Sequence, residues 1–145
     1  MLKNKSIELI FWLTVSAVSA APGHAQGLLP ACPDSPNCVS SLSEDPQRFV
    51  APLRLEGDPQ EGWARLVARV AALPRTRIVR RTDRSLDAEC RSALFGFVDD
   101  LSLRLDEREG VVHVRSASRT GYWDLGVNRR RVEGLREASQ AAAGS

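Results

Sequence analysis

Lysine is what this sequence most lacks: it stands at positions 3 and 5 and nowhere else in 145 residues. All later positive charge is arginine, and from Gln26 onward 18 arginines face 17 acids. A nearly balanced, arginine-only chain has no overall pull toward nucleic acid or an anionic membrane. Histidine is almost as scarce, with His24 and His113 the only two. A nucleophile activated by an imidazole base would have to use His113, which falls between two valines in an alternating stretch and reads as a solvated strand residue. Glycine-rich phosphate loops are missing, because Gly121 and Gly126 merely flank Y-W-D-L and match no nucleotide fingerprint. A metal pair at Cys32 and Cys38 would need two further ligands, for which only Cys90 and His113 remain after cleavage, so a disulfide is favoured and no cofactor or metal is implied.

Long apolar runs are lacking as well. Leu9 to Ala20 is the longest, shorter than the ~20 residues a membrane-spanning helix needs. Preceded by Lys3 and Lys5 and followed by Gly23-His24-Ala25, it reads as a secretory leader cleaved after Ala25, with Ser19-Ala20-Ala21 as another possible cut. An uncleaved anchor is the alternative, and Leu29-Pro30-Ala31-Cys32 only faintly resembles a lipoprotein box. Residues 1–25 are therefore expected to be a signal peptide and the chain to be exported, periplasmic if the cell has that compartment. No stable transmembrane span would remain after cleavage. The 120 residues from Gln26 suffice for one modest core.

Cysteine is sparse but well placed. Cys32 and Cys38 bracket C-P-D-S-P-N-C, whose prolines force turns, and an oxidising compartment favours a disulfide between them. Cys90 falls on the inward parity of a strand and reads as an inert core thiol. Residues 26–48 are then a disulfide-closed loop. Residues 49–139 form a single domain and residues 140–145 a frayed tail.

Phe49 to Leu55 reads as a short edge strand interrupted by Pro52. Asp58-Pro59-Gln60-Glu61 opens a helix with a cap, a first-turn proline and capping-box spacing. Trp63, Leu66, Val67, Val70 and Leu73 supply its apolar stripe, and Pro74 ends it. Strands are expected over Thr76–Thr82, Leu86–Ser92, the alternating run from Phe95 to Leu105, and Val111–Ser118. In that run Phe95, Phe97, Leu101, Leu103 and Leu105 share a face, so Asp99 points inward and Asp100 outward. A final helix starts near Asp124 and runs to about Ser139, with Leu125, Val132 and Leu135 buried and Arg129, Arg130 and Arg136 facing out. The order β-α-β-β-β-β-α with short loops gives an α+β fold, an antiparallel sheet of about five strands with two helices packed on one face.

Chemistry concentrates in Arg115 to Arg131, R-S-A-S-R-T-G-Y-W-D-L-G-V-N-R-R-R, where a strand passes through a turn into that helix. Such density forms either a hydrogen-bonded corner or a surface for anions, helped by the free amides of the helix start. The candidate ligand-binding set is Asp99, Arg115, Ser116, Ser118, Arg119, Tyr122, Asp124, Asn128 and Arg131; no residue is assigned as catalytic. A buried Asp99 needs a cation, with Arg115 or Arg119 the expected partner. Glu89 and Arg91 are expected to form a similar cross-strand pair, and Tyr122 and Trp123 to be buried.

Together, C-P-D-S-P-N-C-V-S-S (Cys32–Ser41), F-G-F-V-D-D (Phe95–Asp100) and the Arg115–Arg131 run resemble the bacterial and plant family catalogued as domain of unknown function 1499, over roughly Cys32 to Arg136. The resemblance implies no activity. When exported, such domains look like envelope proteins. Trp123 stands where the family pattern leads one to expect a smaller polar residue. Two function classes follow. One is a non-enzymatic module binding a small anionic or amphipathic ligand, or an envelope protein, at the Arg115–Arg131 corner. The other is an envelope hydrolase or isomerase using Asp99 or Asp100 with Arg115 and Arg119 as electrostatic stabilisers.

Overall fold

The computed structural model describes residues 29–141; the expected leader, its cleavage point and the end of the tail lie outside this range. The elements are β1 (Cys38–Ser40), β2 (Leu53–Arg54), α1 (Pro59–Ala72), β3 (Thr76–Arg81), β4 (Ser85–Arg91), β5 (Val98–Asp106), β6 (Val111–Ser118) and α2 (Val127–Ala141). They form one antiparallel sheet of six strands with two helices, an α+β fold. The strand path is β1-β6-β5-β4-β3, and β2 also pairs with β6.

Each sheet residue's face follows from the register. Leu86 lies opposite Leu103, Ala88 opposite Leu101 and Cys90 opposite Asp99. Leu101 in turn faces Ser116, Leu103 faces Val114 and Leu105 faces Val112. All of these but Asp99 and Ser116 share a core with Val39, with Trp63, Leu66, Val67 and Val70 of α1 and with Val132 and Leu135 of α2. Burying each large aliphatic side chain there contributes ~1.5–3 kcal/mol. The opposite face carries Asp87, Glu89, Asp100, Ser102, Arg104, His113 and Arg115.

Helix α1 begins as its sequence demands. The Asp58 carboxylate accepts from the amides of Gln60 and Glu61, both at 3.0 Å. Gly62 on the buried face is needed for close approach, since a Cβ there would lie 2.9 Å from Leu55 Cβ. Helix α2 buries Asn128, Val132 and Leu135. Contrary to expectation, two of its arginines turn back onto the chain. Arg129 donates to the carbonyls of Phe49 and Gln47, and Arg136 to those of Pro52 and Ala51. These bonds strap residues 47–52 to the helix.

Several expectations are corrected. The loop before Phe49 contains β1, whose three residues pair with Ala117, Ser116 and Arg115, so the sheet has six strands. Cys32 and Cys38 are joined as expected, with Cα atoms 5.7 Å apart, at the entrance to that strand. The edge strand after Phe49 shrinks to Leu53–Arg54. Phe95 and Phe97 precede β5 and are exposed, because the sheet ends at the pair Arg91–Val98 and no layer among the described residues covers what lies beyond. Helix α2 starts at Val127, leaving Leu125 exposed in the loop with φ +55°. Glu89 pairs with Arg77 and Arg119, not Arg91, because Arg77 is its direct neighbour across β3.

A saturated polar corner beneath an apolar rim

At one end of the sheet, β5 and β6 bring Asp99 opposite Ser118 on the helix side. The β6–α2 loop then lays the start of α2 over that pair. Asp99 is only 5% exposed, and its charge is met by Arg131 at 2.7 Å rather than by Arg115 or Arg119. Its other oxygen accepts from the Ser118 hydroxyl at 2.7 Å. Arg131 also donates to Asn128 Oδ1 and to the Ser116 hydroxyl, at 2.7 and 3.0 Å. The Ser116 hydroxyl donates to the same Asn128 oxygen at 2.6 Å.

Asn128 is the hub. Its side-chain nitrogen donates to the Asn37 carbonyl, to Ser118 Oγ and to Asp124 Oδ2. Asp124 accepts the amides of Gly126 and Asn128 at 2.8 and 2.9 Å and so closes the turn into α2. Burial pushes the Asp124 carboxyl up, but these amides and the Asn128 side chain outweigh it and hold it below the ordinary carboxylate range. Asn37 completes the circuit by donating to the Gly121 carbonyl, while its own carbonyl takes the amide of Ser118 at 3.0 Å. A disulfide-anchored loop, two strands and a helix start are thereby tied together. The sequence reading missed Asn37, which joins the corner only because β1 lies beside β6.

Six of the nine expected site residues meet in this network: Asp99, Ser116, Ser118, Asp124, Asn128 and Arg131. Tyr122 lies in its covering loop with its ring exposed. Arg115 and Arg119 are on the other face of the sheet. Arg119 binds Asp100 and Glu89, each at 2.8 Å, and these hydrogen bonds raise its pKa. Arg115 is half-buried; burial lowers its pKa, against the pull of Asp100, and its Nε has no partner among the described residues. His113 contacts Ser41 Oγ at 3.3 Å, and Cys90 is a buried free thiol. Among the described residues no group of three or more His, Cys, Asp and Glu is placed to hold a metal ion.

Above the corner the character changes. The β4–β5 loop, S-A-L-F-G-F, exposes Leu94, Phe95 and Phe97, and the β6–α2 loop exposes Tyr122, Trp123 and Leu125. These six side chains are 54–82% exposed. The loops leave adjacent strands, since the amide of Arg119 bonds the carbonyl of Val98 at 3.0 Å. The rings of Phe95 and Phe97 stack on one another at 5.5 Å and leave most of their surface free. The signal for this rim was present in the sequence. A hairpin loop of three large apolar residues in six is unlike the chain's other hairpin turns, T-D-R and D-E-R-E-G.

A family model described as "Protein of unknown function (DUF1499)" matches residues 28–138. No curated protein and no solved structure matches the chain.

Proposed function

Because the chain belongs to the DUF1499 family, which brings no activity with it, we propose from its geometry that it is an exported, non-enzymatic interaction module. Its contact surface is the apolar rim, and the polar corner is the scaffold that holds the rim in place. Export rests on the basic start, apolar run and small-residue site of the first 25 residues. The observation that carries the contact surface is the rim itself. Six large apolar side chains crowd two adjacent loops, where scattered single ones need no explanation. Leu125 adds to it, because a leucine at φ +55° costs ~1–2 kcal/mol that a glycine would avoid. An exposed leucine repays that strain nowhere inside the fold.

The corner supports the same reading. Donors and acceptors around Asp99 are satisfied by one another, so a carboxylate or phosphate entering there would have to displace Asp99 from Arg131. The enzyme alternative needs Asp99 or Asp100 together with Arg115 and Arg119. Asp99 lies on the far face from both, and Asp100 with Arg119 forms a surface ion pair.

Photo-crosslinking in cells tests the proposal. A benzophenone side chain placed at Phe95 or Trp123 is expected to give adducts, and one at Arg108, in the turn at the opposite end of the sheet, to give none. Adducts at Arg108 alone, or at no position, would remove the rim as a contact surface.

A further inference from the structure

Building on that reading, we infer that the rim docks on the surface of an anionic phospholipid bilayer, its apolar side chains at the acyl boundary and neighbouring arginines at the lipid phosphates. The charge around the rim carries this inference. A transverse row of backbone pairings closes the sheet at this end. Arg91 donates its amide to the Arg75 carbonyl at 3.0 Å, Arg91 lies opposite Val98, and Val98 accepts from the Arg119 amide. Three arginines thus stand one step behind the loop tips. Arg75 and Arg91 are exposed and have no acidic partner among the described residues. A further guanidinium, that of Arg130, is held at the rim by the Leu125 carbonyl at 2.8 Å.

Acids at the same end are already engaged. Asp99 is paired with Arg131, Asp100 with Arg119, and Glu89 with Arg119 and Arg77, while Asp124, bonded only to amides and Asn128, keeps its charge against Arg75, Arg91 and Arg130, which have no acidic partner among the described residues. The field leaving this end is therefore positive, although the chain as a whole carries only +2. Such a patch acts within a Debye length of ~8–10 Å, the range over which a docked protein feels phosphates. The chemistry of the tips fits the same partner. Tryptophan and tyrosine favour the water–lipid boundary, where an apolar ring and a polar atom are both satisfied. Guanidinium groups match phosphate oxygens in a bidentate fashion. Two surface hollows of the fold are bounded by other residues, Leu55 and Leu66 among those of one and Leu42 and Arg48 among those of the other. Among the described residues no helix is long and apolar enough to cross a membrane.

The test reads Trp123 directly, in the full chain with Trp12→Phe, so that emission from the N-terminal apolar run does not count. Trp63 is 2% exposed and serves as an internal reference. With phosphatidylglycerol/phosphatidylcholine vesicles carrying brominated acyl chains, Trp123 emission is expected to shift to the blue and be quenched. A Trp123→Ser chain should lose that response. Neutralising Arg75 and Arg91 together to Gln should weaken the response roughly thirtyfold, from ~1 kcal/mol for each arginine near an anionic surface. Trp123 emission that stays unshifted and unquenched would overturn the inference. So would a blue shift that grows with protein concentration without vesicles, which would mean self-association. If Trp123 fails this test while crosslinks at Phe95 and Trp123 persist in cells, the rim remains the contact surface and its partner is a protein. If the crosslinks fail too, the rim reading itself is lost.

Discussion

The two ends of this sheet solve the same problem with opposite materials. At one end the chain turns through Thr82-Asp83-Arg84 and Asp106–Gly110, short charged loops in which side chains cap their own turns. Asp106 accepts the amides of Arg108 and Glu109, and Arg84 pairs with Glu107 at 2.7 Å. At the other end the hairpin runs S-A-L-F-G-F and the crossover to the helix runs through Tyr122, Trp123 and Leu125, all exposed. Reversing a strand requires none of those apolar side chains, as the charged end demonstrates. Beneath the apolar end, and not beneath the charged one, lies the buried network joining Asn37, Asp99, Ser118, Asn128 and Arg131. A surface that gains nothing from folding thus sits on a buried, hydrogen-bonded network.

The largest effect that can break this contrast is expected at Arg131. Arg131→Met leaves Asp99 buried without its cation and should cost ~3–5 kcal/mol in a thermal or urea melt. Arg84→Met at the charged end removes an exposed pair and should cost at most ~1 kcal/mol. Equal losses would show that the corner is no more structural than an ordinary surface bridge. Next in size is the disulfide, which ties the Asn37 loop to the apolar end. Replacing Cys32 and Cys38 by serine should cost about 2 kcal/mol for so short a closed loop. Thiol titration of the unreduced protein should find no reactive group when folded and only Cys90 in denaturant.

Smaller effects sharpen the comparison. Asp58, beside the charged end, caps α1, so Asp58→Ala should cost ~1 kcal/mol without changing Trp123 emission in the presence of vesicles. Leu125→Gly should instead stabilise by up to ~1 kcal/mol through relief of the positive φ, while weakening any contact the rim makes. A destabilised Leu125→Gly would mean that the leucine packs inside the fold after all. Acid titration gives the finest test. Hydrogen bonds from Arg77 and then Arg119 pull the Glu89 carboxyl from 4.5 to about 2. Its folded value lies below its unfolded one, so its stabilisation is full above pH 4.5 and disappears as pH falls toward about 2. Glu89→Gln should flatten that stretch of the stability–pH curve.

Much of the frame was legible because it depends on local periodicity. The alternation along 98–106 and 111–118 placed Asp99 inside and Asp100 outside, and the cap at Asp58 followed from the four residues around it. What escaped depends on distant pairing or on coverage. Strand β1 has three residues and no alternation to reveal it; only its register against Ala117 to Arg115 makes it a strand. Sequence proximity points to Arg115 or Arg119 as the partner of Asp99, yet Arg115 has the wrong parity and Arg119 continues on the outer face. Arg131 reaches Asp99 from the second turn of a helix laid across the sheet, a placement no sequence spacing encodes. Phe95 and Phe97 share parity with the core leucines, but parity names a face and does not say where the covering layer stops. Leu125 fits the spacing of the final helix and lies before its first residue.

Hydrogen–deuterium exchange on the full chain, with and without phosphatidylglycerol-containing vesicles, compares the two ends in one measurement. Slowed exchange is expected over residues 92–97 and 120–126, with residues 82–84 and 106–110 unchanged. Protection of both ends alike, or of the charged turns alone, would contradict the assignment of the apolar end as the working surface.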